Sequence, residues 1–436
     1  MYISNKNICY YRYHIVNDIA RTGELELFKW IKSFVCLWDH RTCTIAAENG
    51  HFDILKWCIE NGCEWKADTC AAAAKNGHFD ILKWCRENGC ESDAWASAYA
   101  AENGYFEILK WLRLNRCEWN SVTCASAALG NHFEILQWCR ENGCEWDSRT
   151  DFGNCIWLSD TAANAAGGGY FDILKWCIEN GCEVGTRCCA YAAMGGHFEI
   201  LKWLRETGYE WNADTCANAA LKGHFDILKW CRENHCSSPK MLCIFGGNPS
   251  KNAKHFCEGP WDYKTCEYAV KNGHFEIVKW IRKNMYEFDI NKILGFRICG
   301  KKNEIINLCT YAAENGHFDI LKWLHKKECV LTSTTTAYAA QSGHFEILKW
   351  AIKNGCEVTS STCTYAAEYG QFEILKWCKQ QGYEWTSSTC VFAAYEGHFD
   401  ILKWCRENGC ELSKSVCDFA RMNSYFEIIK WAEETV

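Results

Sequence analysis

A short segment ending in Lys-Trp, or a close variant of it, returns fourteen times, and that return decides what the chain can fold into. The tryptophans are Trp30, Trp57, Trp84, Trp111, Trp138, Trp176, Trp203, Trp230, Trp280, Trp323, Trp350, Trp377, Trp404 and Trp431. Their step is 27 residues, broken by steps of 38, 50 and 43, so three insertions of 11, 23 and 16 residues interrupt the series. A unit this short cannot bury its own apolar face. Stacking against its neighbours solves the problem, and a fixed period is the signature of that solution.

One unit, running from Thr69 to Glu91, shows the local logic. Asp68, with Ser361 and Ser388 in the equivalent slots, is placed to cap a first helix. That helix is Ala-rich and short, and Gly77 is the expected stop. A second helix is predicted from His78 to about Asn88, with Asp80 in its first turn and Asn88-Gly89 closing it. Phe79, Ile81, Leu82, Trp84 and Cys85 cover one arc of it, while Asp80, Lys83, Arg86 and Glu87 face water. The Phe two residues after each glycine occurs in thirteen units, Leu25 being the exception. The Phe and Trp columns are therefore read as core, each buried ring contributing roughly 4–6 kcal/mol before entropy is counted.

The run from Ala46 to Trp57, AAENGHFDILKW, resembles the ankyrin repeat, whose core reads A-A-x-x-G-H-x-E-I-V-K-x-L. Ala46, Ala47, Gly50, His51, Asp53, Ile54, Leu55, Lys56 and Gly62 occupy the matching slots, and the match recurs over about nine-tenths of the chain. The sequence most resembles the divergent Trp- and Cys-rich ankyrin arrays of giant DNA viruses and some protists. Two departures qualify the resemblance. Family units are about 33 residues long, and the first helix here opens with Thr-Cys instead of Thr-Pro-Leu-His. The missing residues fall where the family builds a projecting hairpin, so the resemblance implies an all-α helix-turn-helix solenoid of about 14 units with shortened hairpin loops. Four segments are expected: a leader over 1–12, a first array over 13–238 with an insertion near 148–161, an irregular insertion or decayed repeat over 239–261, and a second array over 262–436 interrupted at 291–306.

Charge and cysteine usage narrow the function. A net charge of -7 supplies no basic face for nucleic acid. No secretory segment precedes the repeats and no apolar run spans a bilayer, so the expectation is a cytoplasmic chain, in the host cytoplasm if it is viral. Of the 33 cysteines, 27 fall in three columns, seven residues before each unit's glycine and eight and thirteen after it. Leu112, Leu204, Ile281 and Ala351 replace the second column elsewhere, and Tyr209, Tyr286 and Tyr383 the third, as a packing position allows. A thiol-rich redox or metal-buffering protein is the alternative. Nine units carry His directly after the glycine, a place suited to bonds between units. No catalytic set, cofactor or metal site is expected.

The functional candidates are places where the repeat breaks its own rule. Five residues before the glycine, the last six units carry Tyr268, Tyr311, Tyr338, Tyr365, Phe392 and Phe419, either an inner-helix groove or core. The pair before the glycine varies, and Glu368-Tyr369 and Tyr395-Glu396 are its aromatic forms. The insertion at 291–306 carries Lys292, Arg297, Lys301 and Lys302, which suit an acidic partner. The reading is a non-catalytic, monomeric scaffold for protein–protein interaction, engaging a host or cellular protein.

Overall fold

The computed structural model describes residues 16–34, 38–146, 160–234, 263–284, 297–299, 304–423 and 425–435. The leader, most of the insertion near 148–161, the insertion at 239–261, and Lys292, Lys301 and Lys302 lie outside these described residues. The chain divides into two compact units, Met1–Thr215 and Cys216–Val436.

Each Trp-bearing segment is an α-helix, and from His40 onward it is preceded in the described repeats by an inner helix of similar length, Ala-rich in most of them. In the first unit the helices His40–Glu48, Ala67–Lys75, Ala94–Glu102, Ser121–Leu129, Thr161–Gly168 and Thr186–Gly195 pack side by side as one inner row. Ser333–Gln341, Ser360–Glu368, Ser387–Tyr395 and Lys414–Met422 form such a row in the second. In most repeats the outer helix folds back on its own inner helix. Phe79–Glu87 is representative. It ends at Asn88, whose Nδ2 donates to the Trp84 carbonyl at 2.8 Å, and Gly89 turns the chain at φ +86°.

The fully buried layer is aliphatic. Ile81, Leu82 and Cys85 lie under the outer helix and Cys70, Ala73 and Ala74 under the inner one. The Phe and Trp columns, expected as core, are instead half-buried at the seams between repeats. Phe79 of one repeat meets Trp111 of the next edge-to-face at 5.8 Å, and Phe345 meets Trp377 at 5.5 Å. The open face of most of these Phe rings is covered by a lysine of the same helix, as Lys83 covers Phe79 at 3.8 Å; the Phe133 helix has Gln137 in that place. The full-burial figure of the sequence reading therefore overstates each ring. What the rings contribute is register, because offset and edge-on ring pairs are geometrically selective.

The seam survives the insertions. Phe133 meets Trp176 at 5.5 Å, Phe225 meets Trp280 at 5.4 Å and Phe275 meets Trp323 at 5.9 Å, each across one interruption of the period. The pairing of Phe with the next Trp therefore continues across all three interruptions.

Two expectations need correction. Asp68, Ser361 and Ser388 are not caps, since their helices start one residue earlier, with Lys66, Thr359 and Thr386 at the N-cap position. The capping slot is two residues upstream, where Asp39 accepts from the Arg41 amide at 2.8 Å and Asn120 from the Val122 amide at 3.0 Å. The all-α expectation holds except in the insertion at 291–306. There β1 (Arg297–Cys299) and β2 (Glu304–Ile306) pair antiparallel, with Ile298 opposite Ile305. The described loops between repeats contain no strand, in keeping with the trimmed hairpins.

Candidate protein-interaction surface

The turn between inner and outer helix fixes what the inner row presents. Its glycine is left-handed, as Gly50 is at φ +77°, and the space where a Cβ would stand is taken by the next repeat's histidine ring. That ring reaches back to the carbonyl two residues before the glycine. His78 Nε2 lies 3.2 Å from the Glu48 oxygen, His197 Nε2 3.0 Å from that of Gly167, and His398 Nε2 3.0 Å from that of Glu368. Gln371 does the same by donating to the Gln341 carbonyl at 3.3 Å. The histidine column thus links repeats, as its place at the helix start suggested. It also holds the last turn of each inner helix, so the pre-glycine side chains stand on a fixed ledge.

Several repeats use that ledge to satisfy backbone. Asn103 Nδ2 donates to the Tyr99 carbonyl at 3.0 Å and Asn315 to that of Tyr311 at 2.9 Å. Tyr369 stands in the same slot, cannot make this bond through an amide, and is 49% exposed. In the next repeat Tyr395 is 37% exposed and meets Phe419 edge-on at 5.7 Å. Glu368 is half-buried and Glu396 exposed beside them. Burial, and then the charges of Glu368, Glu396 and Glu314, hold the Tyr369 phenol above its ordinary range. It therefore keeps its proton at neutral pH and remains a hydrogen-bond donor.

The aromatic stripe divides on inspection. Tyr311 is buried, 5% exposed, with Lys271 Nζ 4.1 Å above its ring. Lys271 is itself tied to Glu267 at 2.7 Å. Tyr268, Tyr338, Tyr365, Phe392 and Phe419 are half-buried, and Tyr338 and Tyr365 meet edge-to-face at 5.9 Å. The structure brings Tyr338, Tyr365, Tyr369 and Tyr395 onto consecutive inner helices or their ends. Arg297 stands on β1, away from that row in sequence and with its side chain undescribed.

The cysteines do more than fill space. All the described ones are reduced, and all but Cys266 are buried. The third column also donates hydrogen bonds: Cys63 to the Asp39 carbonyl at 3.3 Å, Cys90 to Lys66 at 3.4 Å, Cys356 to Thr332 at 2.9 Å. Each ties the loop after the outer helix to the N-cap residue of its own repeat. Sequence reasoning missed this, because comparing one column across repeats never asks which columns meet inside a repeat. Among the described residues no group of three or more His, Cys, Asp or Glu is arranged to hold a metal ion, and no helix is long and apolar enough to cross a membrane.

Comparison with known proteins agrees with this architecture. The family described as "Ankyrin repeats (3 copies)" matches residues 43–123 and 266–362. "Ankyrin repeats (many copies)" matches 160–205 and 189–230. No curated protein matches the chain. Among solved structures, the crystal structure of human ASB11 ankyrin repeat domain is 19% identical, with 45% of this chain and 84% of that chain covered at a TM-score of 0.31. The assignment rests on the family matches, which span more than half of the sequence and coincide with the stacked helix pairs. The chain belongs to the ankyrin repeat family.

Proposed function

We propose that this chain is a non-catalytic scaffold that binds another protein through the inner row of its second unit, centred on Glu368, Tyr369, Tyr395 and Glu396. Repeats of this family are in general protein–protein interaction modules. The observation that carries the placement is Tyr369. It puts a large, nearly half-exposed ring on a ledge where other repeats place an asparagine turned back on its own helix. Tyrosine is a favoured interface anchor, since its ring offers apolar area and its hydroxyl a hydrogen bond at small entropic cost. Tyr338 and Tyr365 extend the surface, with Tyr268 and Tyr311 as supports beneath its edge. Lys292, Arg297, Lys301 and Lys302 form a separate basic contact for an acidic segment of the partner.

The reduced thiols suit a cytoplasmic setting. The Trp and Cys columns suit a viral or protist chain acting as a monomer on a host or cellular protein. The test is capture from lysate of the native or host cell with the full chain, beside a variant carrying Glu368→Ala, Tyr369→Ala and Tyr395→Ala. A partner retained by the wild type and lost by the variant, with unfolding midpoints alike, supports the reading. Equal retention by both chains sends the binding elsewhere on the array.

A further inference from the structure

One contact recurs along the inner rows. The residue two before a repeat's glycine lies against the residue five before the next repeat's glycine, or before Ser424 in the last repeat. Lys75 Nζ stands 5.6 Å from the centre of the Tyr99 ring, and Lys271 Nζ 4.1 Å from that of Tyr311. Gly167 is so close to Tyr191 that a Cβ on it would stand 3.2 Å from the tyrosine's own, and Tyr395 meets Phe419 edge-on at 5.7 Å. Where the first member of the pair is lysine, a carboxylate holds the same ammonium. Glu48 lies 3.9 Å from Lys75, and Glu267 2.7 Å from Lys271. The chain thus shows, within itself, a cation shared between a tyrosine ring and a glutamate on this row.

Downstream of Lys271 the sign of that slot reverses. Glu314 precedes Tyr338, Gln341 precedes Tyr365 and Glu368 precedes Phe392, while Glu396 follows Tyr395. The inner helices Leu308–Glu314, Ser333–Gln341, Ser360–Glu368 and Ser387–Tyr395 contain no lysine or arginine. The cations at either end are engaged by carboxylates of their own, Lys271 by Glu267 and Arg421 by Asp418 at 3.3 Å and Glu433 at 2.5 Å. Between them the ledge presents aromatic rings and negative charge together. Tyr369 is the more exposed of its two outlying tyrosines. Burial first, and then the charges of Glu368, Glu396 and Glu314, raise its phenol, so three carboxylates act on one exposed ring.

We infer that the inner row of the second unit docks an extended basic segment of another protein, its cationic side chains lying over Tyr369 and the half-buried Tyr338 and Tyr365 and pairing with Glu314, Glu368 and Glu396. This occupant presupposes that the row is the docking surface proposed above. A guanidinium suits the place best, because its plane stacks on a ring while its edge forks onto a carboxylate. Neighbouring inner helices stand about 8–10 Å apart, and three residues of extended chain span about 10 Å. Cations at every third position therefore meet successive repeats.

Fluorescence anisotropy tests this with the full chain and a fluorescein-labelled peptide of repeating Arg-Gly-Gly, beside the same peptide with citrulline for every arginine. Citrulline keeps the shape and loses the charge. The arginine peptide should bind and the citrulline peptide should not. Glu314→Gln, Glu368→Gln and Glu396→Gln together should weaken binding about tenfold, and so should Tyr369→Leu, which keeps apolar area but removes the ring face. Tyr369→Phe should bind as the wild type does. Glu87→Gln, Glu141→Gln and Glu179→Gln together remove the same charge from exposed outer-helix ends of the first unit. That set should change affinity by less than about twofold, because screened charges so far from the row contribute little. Equal affinity for both peptides, binding of neither, or equal weakening by the two glutamine sets overturns the basic segment. Capture from lysate separates this from the surface itself. A partner lost by the alanine variant but kept by the inner-row glutamine set overturns the basic segment alone, whereas equal capture by wild type and alanine variant overturns both.

Discussion

The outer and inner rows use helices of nearly equal length under opposite constraints. An outer helix meets the next repeat with its Phe and the previous one with its Trp: Phe79 receives Trp111, and Trp84 of the same helix receives Phe52. Each helix therefore takes part in two seams, and losing either ring mismatches the seam it belongs to. The inner row keeps a constant small face, such as Ala73 and Ala74 or Ala393 and Ala394, where neighbouring helices touch. Its last turn is tied to the next repeat largely through backbone carbonyls, as Asn76 donates to the Glu48 carbonyl at 2.7 Å, and there the side chains drift from Glu48-Asn49 to Leu129-Gly130 and Tyr395-Glu396. Constancy in this chain marks packing between copies. Variation marks the surface left over for something else.

The largest expected effect tests that division directly. Leu82 on an outer helix is fully buried, whereas Leu129 at the end of an inner helix is 39% exposed. Leu82→Ala should cost about 2–5 kcal/mol, the range for a leucine cavity that cannot collapse. Leu129→Ala should stay within about 0.5 kcal/mol. Urea titration followed by circular dichroism reads both, and equal losses would mean that the two rows are not distinguished by packing.

A smaller effect separates two kinds of turn. Gly50 and Gly62 are both left-handed, at φ +77° and +81°, so alanine at either costs roughly 1–2 kcal/mol for the backbone alone. Only at Gly50 would the new Cβ also meet a ring, 2.7 Å from His78 Cε1, while nothing stands within 4 Å of it at Gly62. Gly50→Ala should therefore be the more damaging. Its excess should shrink in a His78→Ala background, which a double-mutant cycle measures. If the two glycines cost the same, the histidine link does not set the spacing of repeats.

These contrasts also explain what the sequence could and could not tell. Period, helix pairs, glycine stops and missing hairpins are local or repeated features, and all were legible. Burial of the Phe and Trp columns was misjudged because hydropathy says that a ring avoids water, not whether it ends beneath a helix or in a seam half-covered by lysine. The caps were misplaced because the slot holds Lys66 in the repeat taken as representative and Asp39 or Asn120 in others. At the candidate surface, the irregular pairs at Tyr369 and Tyr395 could be found as breaks in the rule. That Tyr311 is buried while Tyr338 is half-open depends on neighbours such as Lys271, which arrive from another repeat.

The smallest expected effect has a sign that depends on pH, and it falls on an inner-row cap. Asp160 accepts from the Ala163 amide at 2.9 Å, a bond that favours the carboxylate, yet burial outweighs it and raises the group above its ordinary value of 3.8. The folded chain therefore holds this proton more tightly than the unfolded chain does. Asp160 contributes most below that ordinary value, and its contribution falls as pH rises through the folded value. Asparagine caps a helix about as well as aspartate and carries no charge to desolvate. Asp160→Asn should accordingly stabilise the chain at neutral pH, with the gain fading as the pH is lowered toward 3.8. Unfolding midpoints across that range measure it. A variant less stable than the wild type at pH 7 would show that the helix dipole and the Arg187 charge outweigh burial at this cap.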